Sequence, residues 1–218
     1  MEIGSLGIEN QSTLDDYISV RIMGYDYAKY RSQVDREKFP ILPVITIVLN
    51  FFDKPWKETK SLHSIMKIPD DFKAFVQDYK VMVFDIAYLE DDVIEKFTSD
   101  FKIVAKFFKN KRLGKQALFG EDKISHVQEV MDFLAVFAND ERYKEIKQKL
   151  AEIENKGGVV TMCNVAQAIE ERGIKKGKLL QLMELVDNGD LLIERASQRA
   201  GMTIEEFREQ MQEIQFLQ

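Results

Sequence analysis

The chain has 218 residues and a formal net charge of −6. This length allows one or two domains with a sizeable core, and no run of about 18 apolar residues is present to span a membrane. The acidic balance argues against binding of polyanions by the whole surface, although a local basic groove is compatible with it. Residues 1–11 lack a basic segment and a long apolar segment, so we expect no signal peptide.

The cysteine and histidine content limits the kinds of site. Cys163 is the only cysteine, which excludes an internal disulfide and favours a reducing, cytoplasmic location. His63 and His126 lie far apart in the sequence with no cysteine near them, which argues against a structural zinc site. The spacing of these histidines supports no catalytic triad. Because Cys163 lies in an apolar segment, we expect it to be buried and inert.

The chain begins with a predicted strand and helix. Residues 1–11 are typical of a short strand. Ser12 or Thr13 is the expected N-cap of the helix that follows, because either hydroxyl can accept a hydrogen bond from the first turn. Apolar residues at helical spacing continue to about Glu37, and Pro40 then ends the helix.

Two apolar, β-branched runs at 43–52 and 79–88 predict further strands. The first run suits a strand that is covered on both faces. Between the two runs, short helices or turns are predicted at 61–66 and 70–77, and Trp56 is expected to anchor a loop against the core. The order strand, helix, strand, strand predicts a reduced restriction-endonuclease-like β-α-β-β core of the α/β class with a small mixed sheet.

The second half of the chain is predicted to be entirely helical. The helices are expected at 93–108, 124–137, 143–153, 165–186, 191–200 and 204–215. We divide the chain accordingly into an α/β core at 1–112, a helical extension at 113–157 and a helical tail at 158–218. The last two helices have helix-turn-helix proportions, but we favour a plain packing unit, since pairs of this size are usually that.

The end of the first strand carries a candidate site. Glu9 and Gln11 lie at alternate positions, so their side chains point to the same face of the strand. A carboxylate and an amide on one face could bind a divalent cation and a phosphate oxygen together. The alternative is that they are only the polar end of a strand. The three residues Glu9, Asn10 and Gln11, taken without the rest of the chain, favour that alternative.

Several segments, in the same order, resemble those of one family. They are GIENQS at 7–12, RIMGYD at 21–26, LPVITIVLNFF with KPW at 42–56, and DYKVMVFDI at 78–86. A later segment, MCNVAQAIEERGIKKG at 162–177, resembles the C-terminal helical region of the same proteins. The family is that of the recombination-promoting nucleases, which are also described as transposases. These proteins are in turn similar to the PD-(D/E)XK nuclease superfamily.

The resemblance implies a metal-dependent phosphodiester hydrolase that acts on double-stranded DNA with Mg²⁺. In that superfamily a glutamate and a main-chain carbonyl help to hold the metal ion, and a lysine positions or activates the attacking water. The matching positions are Glu9 for the carboxylate and Asn10 for the carbonyl, with Gln11 in place of the lysine. Glu9 and Gln11 are therefore the implied catalytic residues. An amide cannot act as a general base, so Gln11 would orient water or donate to a phosphate oxygen.

One departure from the family pattern concerns the start of the chain. The superfamily core has a helix and two strands ahead of the glutamate, including a metal-binding aspartate, whereas eight residues precede Glu9. We therefore expect a member that is truncated at its N-terminus, whose single carboxylate binds Mg²⁺ poorly. The alternative is a catalytically inactive homologue that serves as an interaction or regulatory module. It would pair an exposed sheet edge with another chain, and a homo-oligomer is one such assembly.

Two residues of the first helix are candidates for binding substrate. Arg21 and Tyr25 are four residues apart and share one helix face. The resemblance places them beside Glu9, with Arg21 in contact with a phosphate. An ion pair of Arg21 with Asp16 or Asp26 is an equally supported alternative.

The strongest basic cluster supplies the remaining candidates, Lys109, Lys111 and Arg112. These cations could follow a DNA backbone. We favour the alternative in which they complement a helix C-terminus while Phe107 and Phe108 pack in the core.

Three structural expectations accompany these assignments. The acidic segment at 90–92 should form the first turn of a helix rather than a metal cluster. The strand at 6–11 should pair with the strand at 44–51. Glu9 should lie at or near the surface.

Overall fold

The computed structural model describes residues 3–57, 60–118 and 120–215, with side chains described as far as residue 212. Its sheet has the strand order β1-β2-β3, formed by Ser5–Gln11, Val44–Asn50 and Met82–Asp85. The first helix, α1 (Ile18–Asp35), connects β1 to β2 and packs on one face of the sheet. The predicted α/β class and its β-α-β-β order are confirmed.

The register aligns the carboxyl ends of the three strands. β1 pairs with β2 along its whole length, from Ser5 opposite Val44 to Gln11 opposite Asn50. β2 pairs with β3 so that Asn50 lies opposite Asp85. The predicted pairing of the first two strands is therefore confirmed.

The expectation of a mixed sheet is wrong for these strands, because both ladders are parallel. The strand predicted at 79–88 is also shorter than expected. The main-chain carbonyl of Tyr79 and the N–H of Val81 bond to the loop at 60–62, at 3.0 and 2.8 Å. These groups are therefore used outside the sheet, and β3 retains only Met82–Asp85.

The start of α1 also differs from the prediction. The expected N-cap at Ser12 or Thr13 is wrong, because a turn precedes the helix. In that turn the main-chain N–H of Tyr17 donates to Asp15 Oδ1 at 2.9 Å. The segment after β1 is therefore a loop, which places these hydroxyls beyond the end of the strand.

Helices predominate after the sheet. Short 3₁₀ helices occur between β2 and β3, at His63–Ile65 and Asp70–Phe72, and directly after β3, at Ile86–Tyr88. The α-helices are Asp91–Ile94 (α2), Phe101–Arg112 (α3), Val127–Phe137 (α4), Arg142–Glu145 (α5), Lys147–Asn155 (α6), Met162–Asp187 (α7), Ile193–Ala200 (α8) and Ile204–Gln215 (α9). No helix in the described part of the chain combines the length and the apolar character needed to cross a membrane.

Two predicted helices are interrupted. The segment at 93–108 is divided between α2 and α3. Asp100 lies at the break, where its carboxylate accepts hydrogen bonds from the main-chain N–H groups of Ser125 and His126. The segment at 143–153 is divided between α5 and α6 at Ile146.

The described residues form three apolar clusters. The largest joins Phe51, directly after β2, to α3, α4, α6 and the start of α7. A smaller cluster lies under α1 and contains Trp56, whose predicted anchoring is confirmed. The third joins the end of α7 to α8 and α9, as expected of a packing unit. The predicted boundaries at 112 and 157 stay a prediction, although the largest cluster draws on residues from all three segments.

Candidate functional site at the carboxyl end of the sheet

Polar side chains occupy the carboxyl ends of all three strands. Gln11, Asn50 and Asp85 form one row, because the register pairs each with the next. Asn50 Nδ2 donates to Asp85 Oδ1 at 2.8 Å and to the carbonyl of Lys54 at 3.0 Å. Asp85 Oδ1 also accepts a hydrogen bond from the main-chain N–H of Trp56 at 2.9 Å. These bonds hold the loop after β2 against β3.

Glu9 and Gln11 are in direct contact. Gln11 Nε2 donates to Glu9 Oε1 at 2.7 Å. The Glu9 side chain is 21% exposed, whereas Gln11 is buried. The predicted common face and the predicted surface position of Glu9 are confirmed. The catalytic roles of the two residues stay predictions.

Arg21 links Glu9 to a second carboxylate. Its NH1 atom lies 3.4 Å from Glu9 Oε1, and its NH2 atom donates to Asp15 Oδ2. The alternative ion pair with Asp16 or Asp26 is wrong, because the turn before α1 brings Asp15 to the guanidinium. Two acidic groups therefore share one cation.

Asp15 joins this group of side chains through Arg21, which the sequence did not indicate. With Ser12 or Thr13 as the N-cap, Asp15 would lie in the first turn of the helix, where a carboxylate is an ordinary partner of the helix dipole. Both Arg21 and Tyr25 lie within α1, so they share one helix face as predicted. Tyr25 is exposed.

The main-chain groups of Asn10 face the free edge of β1. In the ladder, Ser5 N–H donates to the Pro43 carbonyl at 2.9 Å, and Phe51 N–H donates to the Gln11 carbonyl at 2.8 Å. Odd-numbered residues of β1 thus turn their main-chain groups towards β2. Those of Asn10 point the other way, because main-chain groups alternate in direction along a strand.

The oxygen atoms near Glu9 fit a water-rich Mg²⁺ site. Glu9 supplies a carboxylate and Asn10 a carbonyl at the sheet edge, while Asp15 reaches the same guanidinium as Glu9. Within the described residues, no group of three histidine, cysteine, aspartate or glutamate side chains is placed to hold a metal ion. Mg²⁺ commonly keeps several waters and uses only one or two carboxylates, so these residues fit such an ion.

A buried polar cluster joins α1 to the sheet behind this site. Thr46 Oγ1 donates to Asp26 Oδ1 at 2.5 Å, and the Tyr79 hydroxyl donates to Asp26 Oδ2. Burial, and then the hydrogen bond and charge of Asp26, raise the pKa of Tyr79 above its usual value. A Cβ at Gly7 would lie 2.5 Å from Thr46 Oγ1, so glycine is required beside this cluster.

Lys109 is engaged within the protein. Its side chain is 14% exposed, and Nζ donates to the Leu89 carbonyl and to Asp91 Oδ1, both at 2.8 Å. The hydrogen bond and charge of Lys109 lower the pKa of Asp91, which lies in the first turn of α2 as predicted. Phe107 and Phe108 are buried. The expected packing of the two phenylalanines is therefore confirmed, whereas a role of Lys109 in binding DNA stays a prediction.

Lys111 and Arg112 are also fixed by main-chain carbonyls. Lys111 Nζ donates to the Ala138 carbonyl at 2.9 Å, and Arg112 Nε donates to the Ala87 carbonyl at 2.8 Å. The Arg112 guanidinium lies 4.2 Å from the centre of the Tyr88 ring. Both cations are thus held at the last turn of α3.

Lys111 and Arg112 line a crevice of about 520 Å³, which we name the strand-end crevice. Other residues of its lining follow β1 and β2: Ser12, Thr13, Phe52 and Asp53. Open parallel sheets bind ligands outside the carboxyl ends of their strands, which is where this crevice lies. Neither Glu9 nor Gln11 is among the described residues that line it, so it is separate from the site formed by Glu9, Gln11, Asp15 and Arg21, which we name the carboxylate site.

Residues 6–143 match the model of a family described as "Putative transposase, YhgA-like". The chain belongs to this transposase family. The matched part is more than half of the chain and contains both the carboxylate site and the strand-end crevice. No curated protein and no solved structure is significantly similar to the chain.

Membership of the YhgA-like family supports a transposase-like function in general. The helices α7 to α9 lie beyond the matched residues, so the resemblance at 162–177 stays a prediction. In α7 the expected burial of Cys163 is wrong, because this residue is exposed. Met162 and Val165 occupy the buried positions of that turn instead.

Proposed function

We propose that this member of the YhgA-like family is a Mg²⁺-dependent hydrolase of phosphodiester bonds in double-stranded DNA, with Glu9 and Gln11 as its catalytic residues. The observation that carries the proposal is the 2.7 Å hydrogen bond between these side chains on a partly exposed face. It holds a carboxylate and an amide side by side, with a guanidinium 3.4 Å away. The nuclease resemblance of the GIENQS segment supports the proposal, and the family match supports a transposase-like function in general.

The Glu9 carboxylate and the Asn10 carbonyl would hold the metal ion, and water would supply its other ligands. The chemistry that Mg²⁺ would supply there is activation of a water molecule and neutralisation of charge on the scissile phosphate. Asp15 is a candidate for a second acidic ligand, because it shares Arg21 with Glu9. A second carboxylate from Asp15 would strengthen the binding of Mg²⁺, which a single carboxylate on β1 would bind poorly.

Gln11 and Arg21 would position the reactants. The Gln11 amide donates one N–H to Glu9, and its second N–H would donate to water or a phosphate oxygen. Arg21 carries five N–H donors, so it can contact a DNA phosphate while staying near Glu9. Tyr25 is exposed one helical turn away and extends the same surface.

Plasmid nicking tests this proposal. With Mg²⁺ present, the wild-type chain should convert supercoiled DNA to the nicked form, and Glu9→Gln should lose at least about tenfold in rate. Glu152→Gln makes the same chemical change at an exposed position of α6 and should cleave normally. Calorimetric titration with Mg²⁺ should show weaker binding to Glu9→Gln. Equal cleavage by wild type and Glu9→Gln, or no cleavage by either, would reject the enzyme assignment.

The second candidate function, an interaction module, is favoured by the exposed face of the sheet. Leu6, Ile8, Ile45, Met82 and Phe84 are large apolar residues, and all are exposed. Strand alternation and the register place them on the face opposite α1. Parallel sheets are usually covered on both faces, and exposed apolar patches commonly mark interfaces.

The occupant that we propose for this face is a second copy of the chain. These five side chains are only about half exposed, so the patch that they form is smaller than a standard interface. A standard interface needs roughly 800 Å² per partner, which predicts a weak, concentration-dependent dimer. Sedimentation should detect it, and Ile8→Asp should abolish it whereas Leu192→Asp, at an exposed position outside the sheet, should not. A monomer at every concentration would reject this candidate.

A further inference from the structure

We propose that the strand-end crevice is a second binding site, for a nucleotide that carries a terminal phosphate. The phosphate would bind Lys111 and Arg112, which line the crevice together with Ser12 and Thr13. This inference goes beyond the proposed hydrolysis at Glu9, because it needs neither that carboxylate nor a metal ion.

The two cations are already positioned for an anion. Lys111 uses one of its three donors on the Ala138 carbonyl, and Arg112 uses Nε on the Ala87 carbonyl. Stacking on Tyr88 fixes the plane of the Arg112 guanidinium. Cations held in this way lose little conformational entropy when they bind a phosphate, and a guanidinium can contact two of its oxygens.

The lining of the crevice also suits the rest of a nucleotide. Phe52, Val136 and Phe137 contribute apolar surface, and Val136 is exposed. A planar base can pack on such a surface, because every base has a flat face that can stack on an aromatic side chain. The volume of about 520 Å³ falls within the usual range for small-molecule sites.

Asp53 makes the proposal testable by the sign of an effect. It is the one carboxylate among the described lining residues, against two cations. A bound phosphate would be repelled by Asp53 and attracted by Lys111 and Arg112. Removal of the carboxylate should therefore tighten binding, whereas removal of either cation should weaken it.

The experiment is calorimetric titration of the full chain with deoxyadenosine monophosphate, in EDTA so that no metal-dependent cleavage contributes. The nucleotide should bind at least about tenfold more tightly than deoxyadenosine, which lacks the phosphate. Lys111→Met should weaken binding about tenfold, the effect of losing a charge-assisted hydrogen bond. Asp53→Asn should tighten it about twofold. Lys115→Met removes the same charge just after α3, outside the crevice lining, and should have little effect.

Two of the possible results would overturn the proposal. One is equal or undetectable binding of the nucleotide and the nucleoside. The other is an equal loss of affinity in Lys111→Met and Lys115→Met. Circular dichroism of each variant checks that the fold is retained, and Asp53→Asn adds a change of opposite sign that misfolding cannot produce.

A further arm of the experiment distinguishes the source of the phosphate. Fluorescence anisotropy in EDTA compares a duplex with 5′-phosphate ends and the same duplex with 5′-hydroxyl ends. Tighter binding of the phosphorylated duplex, lost in Lys111→Met, assigns the site to DNA ends. Equal binding of the duplexes, with binding of the free nucleotide retained, assigns it to a free mononucleotide. Because cleavage is not measured, failure of the Glu9 proposal leaves these results unchanged.

Discussion

The face of the sheet that α1 covers is largely polar, whereas the opposite face is almost entirely apolar. The covered face carries Glu9 and the row Gln11, Asn50 and Asp85, together with the buried Asp26–Thr46 hydrogen bond. Its apolar cluster is small and centres on Val48. The opposite face consists of leucine, isoleucine, methionine and phenylalanine on all three strands, with Asn10 as an exception.

The apolar face is itself divided. At its carboxyl end, Leu49 and Phe51 pack into the helical cluster, and Phe51 contacts the rings of Phe101, Phe108, Phe133 and Phe137. At its amino end, Leu6, Ile8 and Ile45 are exposed. The helical half of the chain thus covers Leu49 and Phe51 and leaves much of this face exposed.

The regions that stabilise the fold therefore differ from the region that carries the candidate catalytic residues. The helical cluster buries aromatic and aliphatic side chains and should supply most of the folding free energy. The polar face buries hydrogen-bonded groups, which contribute less net stability but fix side-chain positions. Substitutions should therefore cost most stability near Phe51 and least around Glu9 and Arg21.

The largest expected effect is that of Phe51→Ala. Loss of this ring from the centre of the aromatic cluster should lower the free energy of unfolding by about 3–5 kcal/mol. The same change at Phe75, which is 80% exposed, should stay within about 0.5 kcal/mol. Urea unfolding followed by circular dichroism measures both. A similar small effect at the two positions would show that the helical cluster does not dominate stability.

A smaller effect should distinguish the two faces directly. Val48→Thr places a hydroxyl in the fully buried cluster under α1 and should cost about 1–3 kcal/mol. Ile8→Thr, on the exposed apolar face, should change the free energy of unfolding by no more than about 0.5 kcal/mol. A large decrease in the free energy of unfolding for Ile8→Thr, measured in dilute monomer, would mean that the monomer itself covers this face.

The buried polar cluster gives a pH-dependent test. Tyr79→Phe removes the hydroxyl that donates to Asp26 and should cost about 1–2 kcal/mol. Tyr27→Phe makes the same change at an exposed tyrosine and should leave the free energy of unfolding almost unchanged. Urea unfolding near neutral pH measures both variants. Equal costs for the two variants would show that the Asp26 contact adds no stability.

The sign of the pH effect follows from the raised pKa of Tyr79. Its contribution is fully present below the unfolded pKa of about 10 and is lost as the pH rises towards the higher folded pKa. The stability difference between wild type and Tyr79→Phe should therefore narrow above about pH 10. A stability difference between the two proteins that widened with rising pH would contradict the raised pKa of Tyr79.

The parts of the fold that were predictable depend on local periodicity. Strand alternation put Glu9 and Gln11 on one face, and the apolar runs gave the pairing of β1 with β2. The missed features depend on contacts between distant segments. Tyr79 and Val81 pair with the loop at 60–62, and no pattern within their own run indicates this.

The candidate site shows the same limit. Strand alternation placed Glu9 and Gln11 on one face, and the family resemblance of the GIENQS and RIMGYD segments indicated them and Arg21 as site residues. The sequence alone missed Asp15, because recognising this residue requires knowing that a turn precedes α1. It missed the strand-end crevice as well, since the lining of that crevice comes from loops and helix ends far apart in the chain.

The smallest expected effect on stability is that of Asp15→Asn, and it is the sharpest test of the comparison. Asp15 and Arg21 form a partly exposed ion pair, so its loss should cost no more than about 1 kcal/mol. Arg21 would then pair with Glu9 alone and compete more strongly with Mg²⁺. The Mg²⁺ concentration for half-maximal cleavage should therefore rise, whereas Asp16→Asn, at the exposed neighbour, should leave it unchanged. A loss of several kcal/mol with an unaltered Mg²⁺ requirement would make Asp15 a structural residue and remove it from the site.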